Sequence, residues 1–232
     1  VGDSQAGVPE LLPDSRYNKD TAAVTENFAI GTDVLKVIAE TDAEACIKYE
    51  VMDQIDRFAW RMDNTQGVQS TISLPWAAKQ VNAAFNEANP KFKILPRNQY
   101  TVVQAITPIP TSSGLLNPNC SAMAVFLFTQ DHKASTLSRI VREVNTFNAE
   151  NEAEYFAQHS ETDKAYCDSK TEARREVGVT KVAQQKHVEN LKKKHKGISD
   201  ADIEADAGYL KRAEDIQKAE EAFATMDKVC PV

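Results

Sequence analysis

Proline divides this chain of 232 residues into two parts. Eight of the nine prolines lie at or before Pro118 and the ninth is Pro231, so no proline interrupts residues 119–230. Because proline breaks the interior of a helix, the proline-free second part can form long uninterrupted helices. Charge divides the chain in a similar way, since residues 160–230 hold 14 Lys or Arg and 15 Asp or Glu, about twice the charge density of the rest. The sequence therefore predicts two regions of different architecture.

Composition excludes several classes of protein. Hydrophobic residues make up 42% of the chain and charged residues 26%, which is ordinary for a folded protein. The formal net charge of −7 argues against a nucleic-acid partner, because such binding needs a basic surface. The longest apolar run, residues 122–128, is far shorter than the roughly 20 residues that span a bilayer. The chain begins at Val1 rather than Met and shows no signal-type segment, so we expect a piece of a longer protein.

The first part alternates between strand and helix patterns. Residues 1–27 are polar, contain Pro and Gly and show no sustained period, which indicates an irregular lead-in. The periodicities that follow predict strands over residues 33–40, 68–74 and 122–129, and helices over 43–64, 75–88, 98–106 and 134–151. The order strand, helix, strand, insertion, strand, helix is typical of an α+β fold with a split β-α-β unit of ferredoxin-like type. Its last strand is missing, and we expect it to lie beyond residue 232 or to be supplied by another segment, because three strands leave a sheet edge open.

The second part has the pattern of a helical hairpin. Residues 160–229 are charged, rich in alanine and helical in character, with one break at residues 196–199. Cations precede the break, where they suit the negative end of a helix, and Gly197 suits the residue after the helix. Ser199 can cap the next helix. We therefore expect a long antiparallel α-helical hairpin, or coiled coil.

The four cysteines constrain this hairpin. No pair has the C-x-x-C spacing of a metal or redox site, so an even count permits two disulfides in one of three connectivities; the alternative is four reduced, buried thiols. Cys167 and Cys230 are equally distant from the predicted turn, so a hairpin would place them opposite each other. We therefore predict a Cys167–Cys230 disulfide and, by elimination, Cys46–Cys120, which indicates an oxidising compartment.

Candidate sites are few. No catalytic constellation, metal-ligand pattern or cofactor motif is recognisable, so we expect no enzyme activity, no metal and no cofactor. His187 and His195 are two turns apart on one helical face, and we expect both to be solvated. Aromatic residues of the insertion and of the first long helix are candidates for binding an apolar ligand, and these are Trp76, Phe85, Phe92 and Trp60. The alternative is ordinary core packing, which we favour for Trp60.

Five segments of the first part form a recognisable series, and these are residues 28–40, 45–52, 72–75, 95–98 and 110–120. In this order they resemble the first large periplasmic loop of bacterial resistance-nodulation-division (RND) superfamily exporters, in the MMPL-like branch. The similarity covers roughly residues 10–155. The resemblance implies a porter domain of ferredoxin-like type over residues 28–155. Residues 156–230 depart from the common pattern and are expected to form an inserted hairpin.

The resemblance also implies a function. It implies proton-driven export of lipids or hydrophobic small molecules, by a membrane protein whose periplasmic domain lies on the outer side of the bacterial inner membrane. The expected partners are the transporter's own membrane helices and second periplasmic loop, and further copies of the same protein. The alternative is a free-standing periplasmic binding or scaffold protein with a coiled-coil arm.

The resemblance implies little about the hairpin. As a stiff projecting arm, the hairpin is expected to dock a periplasmic adaptor, a lipoprotein or a neighbouring protomer, and the alternative is a spacer with a solvated, charged surface.

Overall fold

The chain separates into two compact units. The computed structural model describes residue 12 and residues 14–28, 33–159, 163–228 and 230–231. Residues 1–153 belong to one unit, which we name the sheet unit, and residues 154–231 form the other, the helical unit. The boundary lies two residues before the predicted one at 155/156, inside a helix rather than in a linker.

The sheet unit is of the α+β class and mostly helical. Its elements within the described residues are α1 (Arg16–Asn27), β1 (Asp33–Glu40), α2 (Tyr49–Asp63), β2 (Val68–Ser73), α3 (Leu74–Phe85), α4 (Gln99–Ile106), β3 (Ala122–Thr129) and α5 (Ala134–Gln158). The predicted strands are confirmed to within one residue at each end. Regular alternation or an unbroken apolar run marks each of them, which explains the accuracy.

The irregular lead-in predicted for residues 1–27 is wrong for residues 16–27, which form α1. The hydroxyl of Ser15 accepts a hydrogen bond from the Asn18 backbone N–H and caps this helix. Its large apolar residues, Tyr17 and Val24, remain exposed. Because α1 buries no apolar stripe, the sequence carried no periodic signal for it.

The three strands form one antiparallel sheet in the order β1-β3-β2. The central strand β3 is antiparallel to both neighbours, so β1 and β2 run parallel to each other on its two sides. Side chains of β3, namely Met123, Val125 and Leu127, are buried, and so are Met52, Ile55 and Met62 of α2. The core of this unit therefore lies between the sheet and α2, with Ile140 of α5 also buried in it.

The helical unit contains α6 (Lys164–Lys194), α7 (Asp200–Glu204) and α8 (Ala207–Ala224), and α6 packs against α8. The predicted break at residues 196–199 is present, but a second break follows α7. There the Asp206 side chain accepts a hydrogen bond from the Tyr209 backbone N–H and starts α8. No helix in the described part of the chain is long and apolar enough to cross a membrane.

Both predicted disulfides are present. Cys167 and Cys230 are bonded within the helical unit, and Cys46 and Cys120 are bonded within the sheet unit. A hydrogen bond lies beside the Cys46–Cys120 disulfide and joins the same two segments: the Thr41 hydroxyl donates to the Cys120 carbonyl at 3.0 Å. Each unit thus has one covalent link of its own.

Candidate functional site

The insertion between β2 and β3 (residues 74–121) carries three of the four predicted ligand residues. Its first helix, α3, starts directly after β2, where the Ser73 hydroxyl accepts from the Trp76 backbone N–H at 3.3 Å. The buried residues Leu74 and Ala78 fix α3 against the core. The Lys79 ammonium donates to the Asp56 carboxylate of α2 at 2.5 and 2.7 Å. The insertion is therefore anchored on the sheet unit by both apolar and ionic contacts.

A buried asparagine holds the next segment of the insertion in place. Asn82 is 7% exposed, and its side-chain amide donates to the backbone carbonyl of Phe92 at 2.8 Å and to that of Ile94 at 3.3 Å. Further along, the Asn98 side chain caps α4 by accepting from two backbone N–H groups. The conformation of residues 92–94 is thus set by hydrogen bonds to α3.

All four predicted aromatic residues are exposed. The exposed fractions are 69% for Trp60, 45% for Trp76, 58% for Phe85 and 42% for Phe92. Core packing, the interpretation favoured for Trp60, is therefore wrong: its neighbours Ala59 and Met62 occupy the buried face of α2, and Trp60 lies off that face. For the other three residues, exposure likewise excludes a role as core residues.

The structure does not bring the four aromatic side chains into one pocket. Trp76 and Phe85 are nine residues apart, which places them on opposite sides of α3 at 3.6 residues per turn. Phe85 lies one turn after Asn82, on the side of α3 that holds residues 92–94. The ring contacts among the described residues include Phe58–Phe147 and none between two of the four. Phe85 and Phe92 therefore share one end of α3, and Trp60 and Trp76 lie elsewhere.

The insertion is basic although the chain as a whole has a net negative charge. Between Asn64 and Gln130 the only acidic residue is Glu87, whereas four residues are cationic: Lys79, Lys91, Lys93 and Arg97. Lys79 is paired with Asp56, and the Arg97 guanidinium lies 5.6 Å from the centre of the Tyr49 ring. Within the described residues Lys91 and Lys93 make no ion pair, and both are exposed. Sequence reasoning missed this feature, although the absence of acidic residues from 88 to 130 would have revealed it.

A separate depression follows α5 on the sheet unit. It has a volume of about 720 Å³, and apolar residues in its lining include Leu137, Val141 and Ala149. None of the four predicted aromatic residues lines it. The ligand site predicted from sequence and this depression are thus different surfaces.

The helical unit buries few of its described residues. Cys167, Lys170 and Ile203 are its buried residues among those described. The Lys170 ammonium donates to the Lys228 backbone carbonyl at 2.7 Å and lies 5.9 Å from the centre of the Phe223 ring. Lys170 therefore connects the first turns of α6 to the segment that follows α8.

His187 is not solvated as expected. Its Nε2 lies 2.6 Å from the Asp206 carboxylate, the group that also caps α8. The helix break before α8, which the sequence analysis missed, is what places this carboxylate opposite His187. The hydrogen bond with His187 and the bond from the Tyr209 backbone N–H lower the pKa of Asp206. The pair connects α6 to the start of α8.

Other perturbed groups belong to structural networks. The hydrogen bond to Glu143, at 2.5 Å, raises the pKa of Arg61. Burial raises the pKa of Asp63, and hydrogen bonds from Thr71 oppose part of this increase. Burial opposes ionisation of Asp131 too, but hydrogen bonds from Thr136 and Lys133 outweigh it and lower the pKa of Asp131. Over the described ranges no group of three or more His, Cys, Asp or Glu could hold a metal ion.

Comparison of this chain with protein-family models, with curated proteins and with solved structures finds no match.

Proposed function

We propose that this chain is a periplasmic domain of an RND-type exporter, in which the sheet unit is the porter domain and the helical unit docks a partner. The proposed cargo is a lipid or another hydrophobic small molecule. The observation that carries the proposal is the strand order β1-β3-β2 with α2 connecting the two parallel strands. The proposal includes no catalytic step.

The strand order supports a ferredoxin-like interpretation of the sheet unit. In a split β-α-β unit two parallel strands leave a gap that a third, antiparallel strand fills, and β3 occupies that position between β1 and β2. β1 lies at an edge of the sheet that the described residues form. A fourth strand pairing with this edge would complete the ferredoxin-like fold, as the resemblance to the porter domain requires.

The disulfides support the proposed compartment. Two disulfides in one chain are typical of proteins outside the reducing cytosol, and the bacterial periplasm is such an environment. The Cys167–Cys230 bond also supports an antiparallel hairpin, since it joins the start of α6 to the segment after α8. Two contacts further along the same helices agree with this geometry, Lys181 to Glu220 at 2.7 Å and His187 to Asp206.

A docking role for the hairpin is supported by its length and its exposed apolar residues. With 31 residues, α6 extends over about 45 Å at roughly 1.5 Å per residue. Val179 and Val182 of α6 and Leu210 of α8 are exposed. A stiff arm with apolar side chains on its surface can bind a periplasmic adaptor, a lipoprotein or a neighbouring protomer.

Two observations on the parent gene and protein test the proposal. The parent reading frame should encode apolar runs of about 20 residues on both sides of this domain. Alkaline phosphatase, which is active only in the periplasm, should be active when fused within the domain. A reading frame without either run, or an inactive fusion beside an active cytoplasmic reporter at the same position, contradicts the assignment.

A deletion tests the docking role. Removing residues 168–229 from the parent exporter should abolish capture of its periplasmic partner and leave the sheet unit folded. The control is a variant that keeps the hairpin but carries serine at Trp60, an exposed position of the sheet unit. Partner capture that survives the deletion would make the helical unit a spacer.

A further inference from the structure

We propose that the insertion docks on an anionic lipid bilayer through a surface formed by Phe85, Lys91, Phe92, Lys93 and Ile94, which we name the basic-apolar surface. This inference goes beyond the export function and does not depend on it. Three observations carry it: exposed apolar side chains, cations without ion pairs, and a backbone held in position.

The apolar component is exposed because the fold holds it so. Phe85, Phe92 and Ile94 are 58%, 42% and 57% exposed, whereas the adjacent Leu95 is buried in the core. The Asn82 amide donates to the backbone carbonyls of residues 92 and 94, which fixes the backbone of this segment against α3 with both side chains exposed. Large apolar side chains kept at a surface in this way indicate a binding surface.

The cationic component flanks the apolar one. Lys91 and Lys93 lie on either side of Phe92, and Arg97 follows after two buried residues. Neither Lys91 nor Lys93 makes an ion pair with the rest of the described chain, and the one acidic residue between positions 65 and 129 is Glu87. The four cations of the insertion outnumber its one carboxylate, so the insertion attracts an anionic partner.

A bilayer fits this combination better than a single amphiphile does. A pocket for one lipid would enclose most of its acyl chain, whereas Phe85, Phe92 and Ile94 lie on an open surface. At a membrane interface, apolar side chains enter the boundary between headgroups and acyl chains, while lysines meet the anionic headgroups. Alternating basic and apolar residues at positions 91–94 satisfy both requirements.

Sedimentation of the 232-residue chain with lipid vesicles tests the proposal. The chain should bind vesicles of equimolar phosphatidylcholine and phosphatidylglycerol more tightly than vesicles of phosphatidylcholine alone, and salt should weaken the binding. The double substitution K91Q/K93Q should lower the partition coefficient at least about tenfold, because each lysine near an anionic membrane surface adds to the free energy of binding. F92S/I94S should also lower it, through loss of the apolar contact.

A matched control separates this surface from general charge attraction. K193Q/K194Q removes the same charge from two exposed lysines at the end of α6. Circular dichroism should show that all variants are folded. The proposal is overturned by absence of anionic-vesicle binding, or by equal loss in K193Q/K194Q and K91Q/K93Q.

Tryptophan fluorescence distinguishes the bilayer from a single lipid. In a W60F/W76F background, Phe92→Trp should shift its emission to the blue with anionic vesicles, and Val179→Trp in the helical unit should not. A shift that saturates with monomeric lysophosphatidylglycerol but is absent with vesicles would overturn the proposal in favour of a single-lipid site. Both readouts are independent of export, so vesicle binding can fail while the proposed exporter function stands.

Discussion

The two units of this protein are stabilised in different ways. In the sheet unit, aliphatic side chains of β3, α2 and α5 form one buried cluster that includes Met52, Leu127 and Ile140. In the helical unit, by contrast, a lysine is among the few buried residues described, and the contacts between α6 and α8 include ion pairs and a disulfide. A large apolar core makes a unit stable by itself, whereas a narrow interface between two helices needs additional links.

Charge provides one of these links. α6 carries nine Lys or Arg against four Asp or Glu, whereas residues 200–224 carry three against eight. The two segments therefore carry opposite net charges and attract each other, as the Lys181–Glu220 ion pair shows locally. Because exposed pairs are screened by salt, the helical unit should lose stability at high ionic strength while the sheet unit changes little.

Removal of the Cys167–Cys230 disulfide should have the largest effect. Its loop of 63 residues corresponds to about 4 kcal/mol of stabilisation in the chain-entropy account. We expect C167S/C230S to lose helical circular dichroism from residues 163–228, because the remaining interface is narrow. The counterpart C46S/C120S should lower the melting temperature yet keep a folded sheet unit, since its apolar core remains. Full helicity in C167S/C230S at 37 °C would contradict the comparison.

A leucine-to-alanine pair should distinguish the two modes of stabilisation next. Leu127→Ala removes a fully buried side chain from the centre of β3 and should cost about 3 kcal/mol. Leu210→Ala removes an exposed side chain from α8 and should cost less than about 0.5 kcal/mol. Urea unfolding monitored by near-ultraviolet circular dichroism measures both. Equal costs would mean that Leu210 is buried in solution.

Two glycines of the helical unit form another matched pair. A Cβ at Gly208 would lie 2.7 Å from the His187 ring and 3.0 Å from the Asp206 carboxylate, so Gly208→Ala should destabilise the unit by about 1–2 kcal/mol. At Gly178 a Cβ would meet nothing within 4 Å, so Gly178→Ala should stabilise α6 by about 0.5–1 kcal/mol. Thermal unfolding measures both variants. Destabilisation by Gly178→Ala would show that another segment covers this helix face.

Acid should weaken the helical unit through Asp206. The hydrogen bonds with His187 and the Tyr209 backbone N–H lower the pKa of Asp206 in the folded state. The stabilisation that ionised Asp206 gives the folded unit is therefore fully present above its ordinary pKa near 3.8. That contribution disappears as the pH falls through the lower, folded pKa. Unfolding measured from pH 6 to pH 2 should therefore show a fall in stability that is reduced in D206N. An identical pH profile for D206N would show that Asp206 does not cause the loss of stability in acid.

Strands and disulfides could be predicted from this sequence because each has a local or symmetric signal. β3 is an unbroken apolar run, and Cys167 and Cys230 are equidistant from a turn that several residues specify. The helix α1 and the exposure of Trp60 could not be predicted in the same way. α1 buries no apolar stripe, and the exposure of Trp60 depends on which side chains of α2 meet the core.

The candidate site, too, could be predicted from the sequence only in part. Sequence placed Trp76, Phe85 and Phe92 on one insertion, and the nine-residue spacing within the predicted helix already separates Trp76 from Phe85. The position of Phe92 beside α3 depends on the hydrogen bonds of Asn82, which the sequence does not reveal. The contact between His187 and Asp206 was missed because it depends on the break at residues 205–206. The basic character of residues 91–97 was available from sequence alone, and counting charge by segment rather than by chain would have shown it.

Native-state hydrogen exchange of the intact 232-residue chain tests most directly the claim that the two units are stabilised independently. Amides of β1, β3 and α2 should exchange with one high opening free energy that salt leaves unchanged. Amides of α6 and α8 should exchange with a lower one that decreases as salt is added. A single opening free energy for both sets, unchanged by salt, would contradict the account.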